Sequence, residues 1–120
     1  MLHIKTKIDP SNIHGIGLYA DEFIPKGTVI WKFQEEFDQV FDPSALETLP
    51  KQAQQFLDFY AFLSRTSGRY ILPTDHGKFV NHSDDPNCEC KYLDAHSELV
   101  SITKRDIFPG EEITENYQTY

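Results

Sequence analysis

From Arg69 onward the chain offers only short β-type runs: Arg69 to Leu72, Cys88 to Leu93, Glu98 to Thr103 and Ile113 to Tyr117, separated by turn residues. That pattern admits small sheets joined by turns. The N-terminal part reads the same way. Leu2, Ile4, Thr6 and Ile8 alternate with polar residues, the period of a half-buried strand, until Asp9-Pro10-Ser11-Asn12 breaks it. A short run from Leu18 to Ala20 follows His14-Gly15-Ile16-Gly17, and Pro25-Lys26-Gly27 turns the chain into Thr28 to Gln34, so hairpin-like β structure is expected.

The middle differs. Ser44-Ala45-Leu46-Glu47 has capping-box spacing, and Pro50 is placed to open a second helix through Gln52, Phe56, Leu57, Tyr60 and Leu63. The expected class is a β-rich α+β fold, a single domain over residues 1–120 with a helical insert at about 43–65. Asp21 to Gly27 and Asp106 to Gly110 echo each other, each an acidic-apolar segment ending in a Pro/Gly turn before a β-branched strand; two copies are too few for a solenoid.

Composition narrows the partners. Nineteen acids against eleven Lys and Arg give a net charge of −8, which disfavours direct nucleic-acid binding and favours basic partners. The segment Met1 to Lys7 has no long apolar run, and nothing approaches the roughly 20 apolar residues needed to cross a membrane. A soluble, non-secreted protein is expected, cytoplasmic or nuclear (the host nucleus for a viral protein or an effector). Cys88 and Cys90 are one residue apart, where a disulfide would be strained, so free thiols are expected.

Three separated segments carry candidate chemistry: Gly15-Ile16-Gly17, Asn81-His82-Ser83-Asp84-Asp85-Pro86-Asn87, and Gly110-Glu111-Glu112-Ile113-Thr114-Glu115-Asn116-Tyr117. Each alone has a plain structural reading. A Gly-x-Gly makes a tight turn, and with no third glycine and no following helix it is not a dinucleotide fingerprint. Asn81-His82-Ser83 matches a glycosylation sequon, yet the Asp, Pro and Asn residues after it favour a turn. Glu111 and Glu112 are adjacent, so on a strand they face opposite ways, and a solvated charge run is the default.

In this order and spacing, however, the three segments resemble the SET-domain methyltransferases, which carry Gly-x-Gly, Asn-His-Ser-x-x-Pro-Asn and Gly-Glu-Glu-(Leu/Ile)-Thr-x-x-Tyr in sequence. The resemblance runs from about His14 to Tyr117 and includes Ile24-Pro25-Lys26-Gly27 and the Phe79-Val80 pair. It implies small curved β-sheets with a variable insert and a final segment threaded beneath a loop as a pseudoknot, bringing Asn81-His82 beside Tyr117. Threaded connections are rare, and general folding rules would not predict one.

The activity implied is methyl transfer from S-adenosylmethionine to a lysine of a basic protein, a histone tail being one such substrate. The lysine must be neutral to react, which for an unperturbed side chain costs about 4.6 kcal/mol at pH 7; an apolar channel and the sulfonium charge lower that cost. By resemblance Tyr117 is the catalytic tyrosine, orienting the amine or the methyl group. Tyr60 resembles the insert tyrosine near cofactor and lysine, with a plain core aromatic as its other reading. Gly15, Ile16 and Gly17 through their backbone, and Asn81 with the backbone of His82, would contact the cofactor. His82 reads as a general base or, as the family favours, as a turn histidine holding the knot. No metal is required.

The chain also departs from the family pattern. Asp84 stands where many relatives carry a zinc-binding cysteine, and no cysteine-rich tail follows Tyr117 in this sequence. That tail normally covers part of the substrate channel. Two substitutes are open: Tyr120 as a short lid, or a second subunit in a homodimer, as in the small viral SET proteins of similar size. Glu115 lies two before Tyr117, where relatives often carry the Phe or Tyr that limits methyl number, so it is placed in the channel. Competing readings are a degenerate SET domain that binds a basic peptide without catalysis, a hydrolase using Glu111, Glu112 or Asp75, and a zinc site from Cys88 and Cys90 with His82 or His96.

Overall fold

Two turns far apart in sequence are paired, each sending one isoleucine, Ile24 or Ile107, into the core. The computed structural model describes all residues from Met1 to Tyr120. Its strands are β1 (Thr6–Pro10), β2 (Ile16–Ala20), β3 (Val29–Lys32), β4 (Gln39–Phe41), β5 (Phe62–Leu63), β6 (Tyr70–Leu72), β7 (Asn81–His82), β8 (Cys88–Tyr92), β9 (Leu99–Thr103) and β10 (Thr114–Glu115). Between β4 and β5 lie α1 (Pro43–Leu46) and α2 (Lys51–Tyr60), and 3-10 turns occupy His76–Phe79 and Tyr117–Thr119. The strands form four small sheets: the antiparallel pair β1–β2, the order β3–β9–β8, the order β4–β6–β5, and the parallel pair β7–β10. This is a β-rich α+β fold of small sheets.

The turns are the two echoing segments. Ile24 and Ile107 exchange both backbone hydrogen bonds at 2.8 Å, and the rings of Phe23 and Phe108 lie 5.2 Å apart. Around this contact the bonding repeats at a constant offset. Gly27 N–H donates to Thr103 O and Gly110 N–H to Ala20 O, while Thr103 N–H donates to Thr28 O and Ala20 N–H to Glu111 O. Gly27 and Gly110 both take positive φ, 84° and 89°, which a side chain would strain. The segment before each turn thus borders the strand after the other, a local two-fold relation that puts Leu18, Ile24, Ile30, Ile107 and Ile113 into one core.

Several expectations shift at their edges. The first strand begins at Thr6, because Leu2 instead bridges Trp31 and gives its N–H to Asp75. Ile8 is exposed, on the free face of the β1–β2 ribbon. The run from Thr28 pairs with β9 rather than β2. The capping box does not form: α1 starts at Pro43 with Asp42 at its N-cap and no side-chain cap, since proline's fixed φ suits the first helical position. Leu63 is not helical. α2 ends at Tyr60, and Phe62–Leu63 turn back to pair with Tyr70–Ile71 through a loop closed by Gly68 at φ 69°. The final strand is only Thr114–Glu115, and Tyr117 opens a 3-10 turn instead.

β8 alternates as written, with Cys88 and Cys90 inward and Glu89 and Lys91 outward in a 3.0 Å ion pair. Both thiols are free and buried, and burial, then the Glu115 carboxylate, pushes their pKa values up. In the unfolded chain they ionise near the ordinary value of about 8.5. Above that pH the unfolded state binds fewer protons than the folded one, so stability is intact below about pH 8.5 and falls as pH rises. No helix is long and apolar enough to cross a membrane.

Two outcomes follow. Ile24→Ala and Ile107→Ala should each cost about 2–5 kcal/mol in urea unfolding, since both side chains are fully buried. The urea midpoint should drop between pH 7.5 and pH 10, and drop less in the Cys88→Ala/Cys90→Ala protein.

Candidate functional site

The parallel pair β7–β10 sets Thr114 beside Asn81 and Glu115 beside His82. It is pinned from outside by Asn87, whose Oδ1 accepts the Thr114 N–H at 2.9 Å and whose Nδ2 donates to Glu112 O at 2.8 Å. The pairing carries the following turn to His82, whose Nδ1 accepts the Tyr117 N–H at 3.1 Å and whose Nε2 lies 3.0 Å from Asp84. Both ring nitrogens of His82 are thereby engaged. The Tyr117 hydroxyl donates to Val80 O at 2.5 Å.

Asn81 reaches the other way. Its Nδ2 donates to His14 O at 3.0 Å, Ile16 O at 3.3 Å and Glu112 Oε1 at 3.0 Å, tying the glycine turn to β7. Glu112 Oε1 also accepts the Ser11 hydroxyl at 2.6 Å. Glu112 is therefore not a solvated charge, whereas its neighbour Glu111 points away and accepts only the Phe108 N–H. Gly17 is a glycine for the same reason: a Cβ there would stand 2.1 Å from Glu112 Oε1. At Gly15, φ is 47° and a Cβ would meet nothing within 4 Å.

Two adjoining cavities open at this junction. One, of about 220 Å³, is bordered by His14, Gly15, Ile16, Asn81 and Phe79; the other, of about 340 Å³, by Asp58, Phe62, Leu63 and Tyr120. Phe59, Tyr60, Lys78, Val80 and Tyr117 line both. Of the residues singled out in the sequence, Gly15, Ile16, Asn81, Tyr60, Tyr117 and Tyr120 thus meet around these cavities. Gly17 and His82 border neither and act from behind, through Glu112 and Tyr117. Glu115 is buried, with the hydroxyls of Ser101 and Tyr120 donating to its carboxylate. Burial, then the Glu115 carboxylate, raises the phenol pKa of both Tyr117 and Tyr120, so both stay protonated donors at neutral pH.

Sequence reasoning missed Phe59, Lys78 and the structural use of Glu112. Only Glu112 carried a signal, since it lies inside the Gly-Glu-Glu segment. The competing sites do not assemble. Asp75 is spent on the Leu2 and Gly77 amides, and no three His, Cys, Asp or Glu side chains converge as a metal site.

Residues 15–118 match the family described as SET domain. The chain is 35% identical, over 86% of its length, to a histone-lysine N-methyltransferase specific for H3 lysine-36 from Cryptococcus neoformans var. neoformans. It is 30% identical, over 93% of its length, to one specific for H3 lysine-4 from Mycosarcoma maydis. It spans 13% and 8% of those relatives' lengths. A crystal structure of a Plasmodium falciparum protein assigned as a histone methyltransferase shares the fold, with a TM-score of 0.69 over 97% of this chain and 95% of that one at 22% identity.

The Gly17–Glu112 contact gives a coupling test. Gly17→Ala should lower the melting temperature, and in a Glu112→Ala background the further loss should shrink by about 0.5–3 kcal/mol. Strictly additive losses in a thermal double-mutant cycle would remove the contact from the account.

Proposed function

The chain belongs to the SET-domain family, and on that premise we propose that it is a protein-lysine N-methyltransferase, moving a methyl group from S-adenosylmethionine to a lysine of a basic protein such as a histone. The observation that carries this reading is the meeting of two cavities at Tyr60 and Tyr117. A two-substrate transfer needs two pockets with a shared wall, so that donor and acceptor enter separately and meet in line.

S-adenosylmethionine would supply a sulfonium methyl open to displacement by an amine. The residues around the smaller cavity suit it. The His14 and Phe59 rings, 5.3 Å apart and tilted by 38°, offer aromatic surface against which a purine could pack. The Lys78 ammonium suits a carboxylate, and the open backbone at Gly15 leaves room for close approach. The larger cavity, walled by Phe59, Tyr60, Phe62 and Tyr120, suits the methylene stem of a lysine.

Tyr117 sits where both would end. Its protonated hydroxyl, held toward Val80 O, orients the amine nitrogen without carrying charge. The walls are aromatic and aliphatic apart from Asp58 and Lys78, and their apolar part disfavours an ammonium and favours the neutral amine that reacts. The net charge of −8 draws in a lysine flanked by other basic residues.

Incubation with methyl-labelled S-adenosylmethionine, histones and lysine peptides should place label on lysine. Tyr117→Phe should lower that turnover by about 100-fold while leaving cofactor affinity within a few-fold. Cofactor binding without any transfer would instead favour a non-catalytic peptide-binding domain.

A further inference from the structure

Asp58 borders a third cleft as well as the larger cavity. This cleft, of about 240 Å³, lies where α1 meets α2: Pro43, Leu46 and the C-capping Glu47 line it from the first helix, Gln54 and Asp58 from the second, and Tyr70 from β6. Gln54 and Asp58 are one turn apart, on the same face of α2. Gln54 spends its Nε2 on the carbonyls of Leu49, at 2.8 Å, and Glu47, at 3.5 Å, so the group it has left to offer is an acceptor, its side-chain carbonyl oxygen. The Glu47 and Asp58 carboxylates belong to none of the chain's ion pairs, which join Met1 to Asp38, His82 to Asp84 and Lys91 to Glu89. No lysine or arginine borders the cleft, whereas the larger cavity has both Asp58 and Lys78 on its wall. The polar lining is thus two unpaired carboxylates, one amide carbonyl and the Tyr70 hydroxyl, set among the apolar surfaces of Pro43, Leu46 and the Tyr70 ring.

We propose that this cleft is a subsite for an arginine of the basic substrate, placed within about three residues of the target lysine. The inference rests on the methyltransferase reading and names what the enzyme recognises beside that lysine. From Gln54 to Tyr60, α2 rises about 9 Å, a distance that an extended peptide covers in about three residues. A chain that lays its lysine into the larger cavity beside Tyr60 and crosses Asp58 therefore carries a neighbouring side chain to the cleft. Acceptors set around one cavity suit a guanidinium, whose planar fork presents five donors in fixed directions; an ammonium is a compact point charge and meets fewer of them at once. The apolar part of the lining takes the methylene stem, and the Tyr70 ring offers a face to the cation.

The cleft adds position to what the net charge supplies. A charge of −8 attracts any basic chain from a distance and does not care where along it the arginine lies. Glu47 and Asp58 are both exposed, so solvent screens each of them and a single pairing is weak. Their placement on one cavity that adjoins the lysine cavity is what ties the preference to a particular residue of the peptide.

The test is peptide binding by fluorescence anisotropy, run beside methyl-transfer kinetics, on lysine peptides in which a single arginine is moved through the positions flanking the lysine and compared with citrulline, its neutral counterpart. At one position arginine should bind about fivefold tighter than citrulline, the size expected of solvent-exposed ion pairs, and should lower KM by a similar factor with kcat little changed. Glu47→Gln should shrink that preference to within about twofold while binding the citrulline peptide as wild type does, and Glu47→Lys should reverse it in favour of glutamate at the same position. Asp21→Asn removes the same charge from outside the cleft and should leave the preference intact. Equal binding of arginine and citrulline at every position, or a preference that survives Glu47→Lys, would overturn the subsite. Lysine gaining as much as arginine there would overturn the choice of a guanidinium. An arginine preference in binding with no label on any peptide would uphold the subsite and overturn the methyltransferase reading alone.

Discussion

A two-residue parallel ladder holds the candidate site together. Asn81 against Thr114 and His82 against Glu115 is a very short pairing, and parallel pairs are slightly weaker per residue than antiparallel ones. It persists because side chains brace it on both flanks. Asn87 holds β10 from one side, and Asn81 holds the glycine turn from the other. The motif residues therefore act first as braces. Asn81 offers its amide hydrogens to three acceptors on two segments, His82 fixes the backbone of Tyr117, and Gly17 leaves the space that Glu112 fills.

This arrangement explains how a chain of 120 residues sustains two cavities with a common wall. Small sheets cannot enclose a pocket by curvature alone. Here the walls come from α2 and its exit (Phe59, Tyr60, Phe62), from the 3-10 turn and the residue after it (Lys78, Phe79, Val80), and from the C-terminal turn (Tyr117, Tyr120). Each piece is short, and each is anchored to a sheet where it begins or ends. The aromatic contacts between them, Tyr60 with Phe79 at 5.9 Å and Tyr117 with Tyr120 at 5.7 Å, close the seams.

The sequence made the class of fold legible because strand and turn chemistry are local. β8 and β9 could be read almost to the residue from Cys88, Cys90, Leu99 and Val100 alternating or clustering between turn residues. β5 and β7 could not: Phe62–Leu63 and Asn81–His82 are two residues each, and their extended shape comes from partners rather than propensity. The echo of Asp21–Gly27 in Asp106–Gly110 was visible, but nothing local said that the copies pair with each other. The site was legible to the extent that motif order pointed to Gly15, Asn81 and Tyr117. Phe59 and Lys78 gave no such signal, since an aromatic on a helix and a lysine in a turn are commonplace until the fold sets them across from one another.

The paired turns also bear on how the protein comes into being on a ribosome. Leu18, Ile24 and Ile30 are made first, and Ile107 and Ile113, which pack with them, are made much later. A nascent chain carrying the first half of the sequence can pair β1 with β2 but lacks the partners of Ile24 and of β3, so part of that apolar surface stays uncovered. Structure that depends on such distant pairings forms slowly and leaves apolar surface open to association meanwhile. The protein's vulnerable interval is therefore the stretch of synthesis before its second turn has emerged.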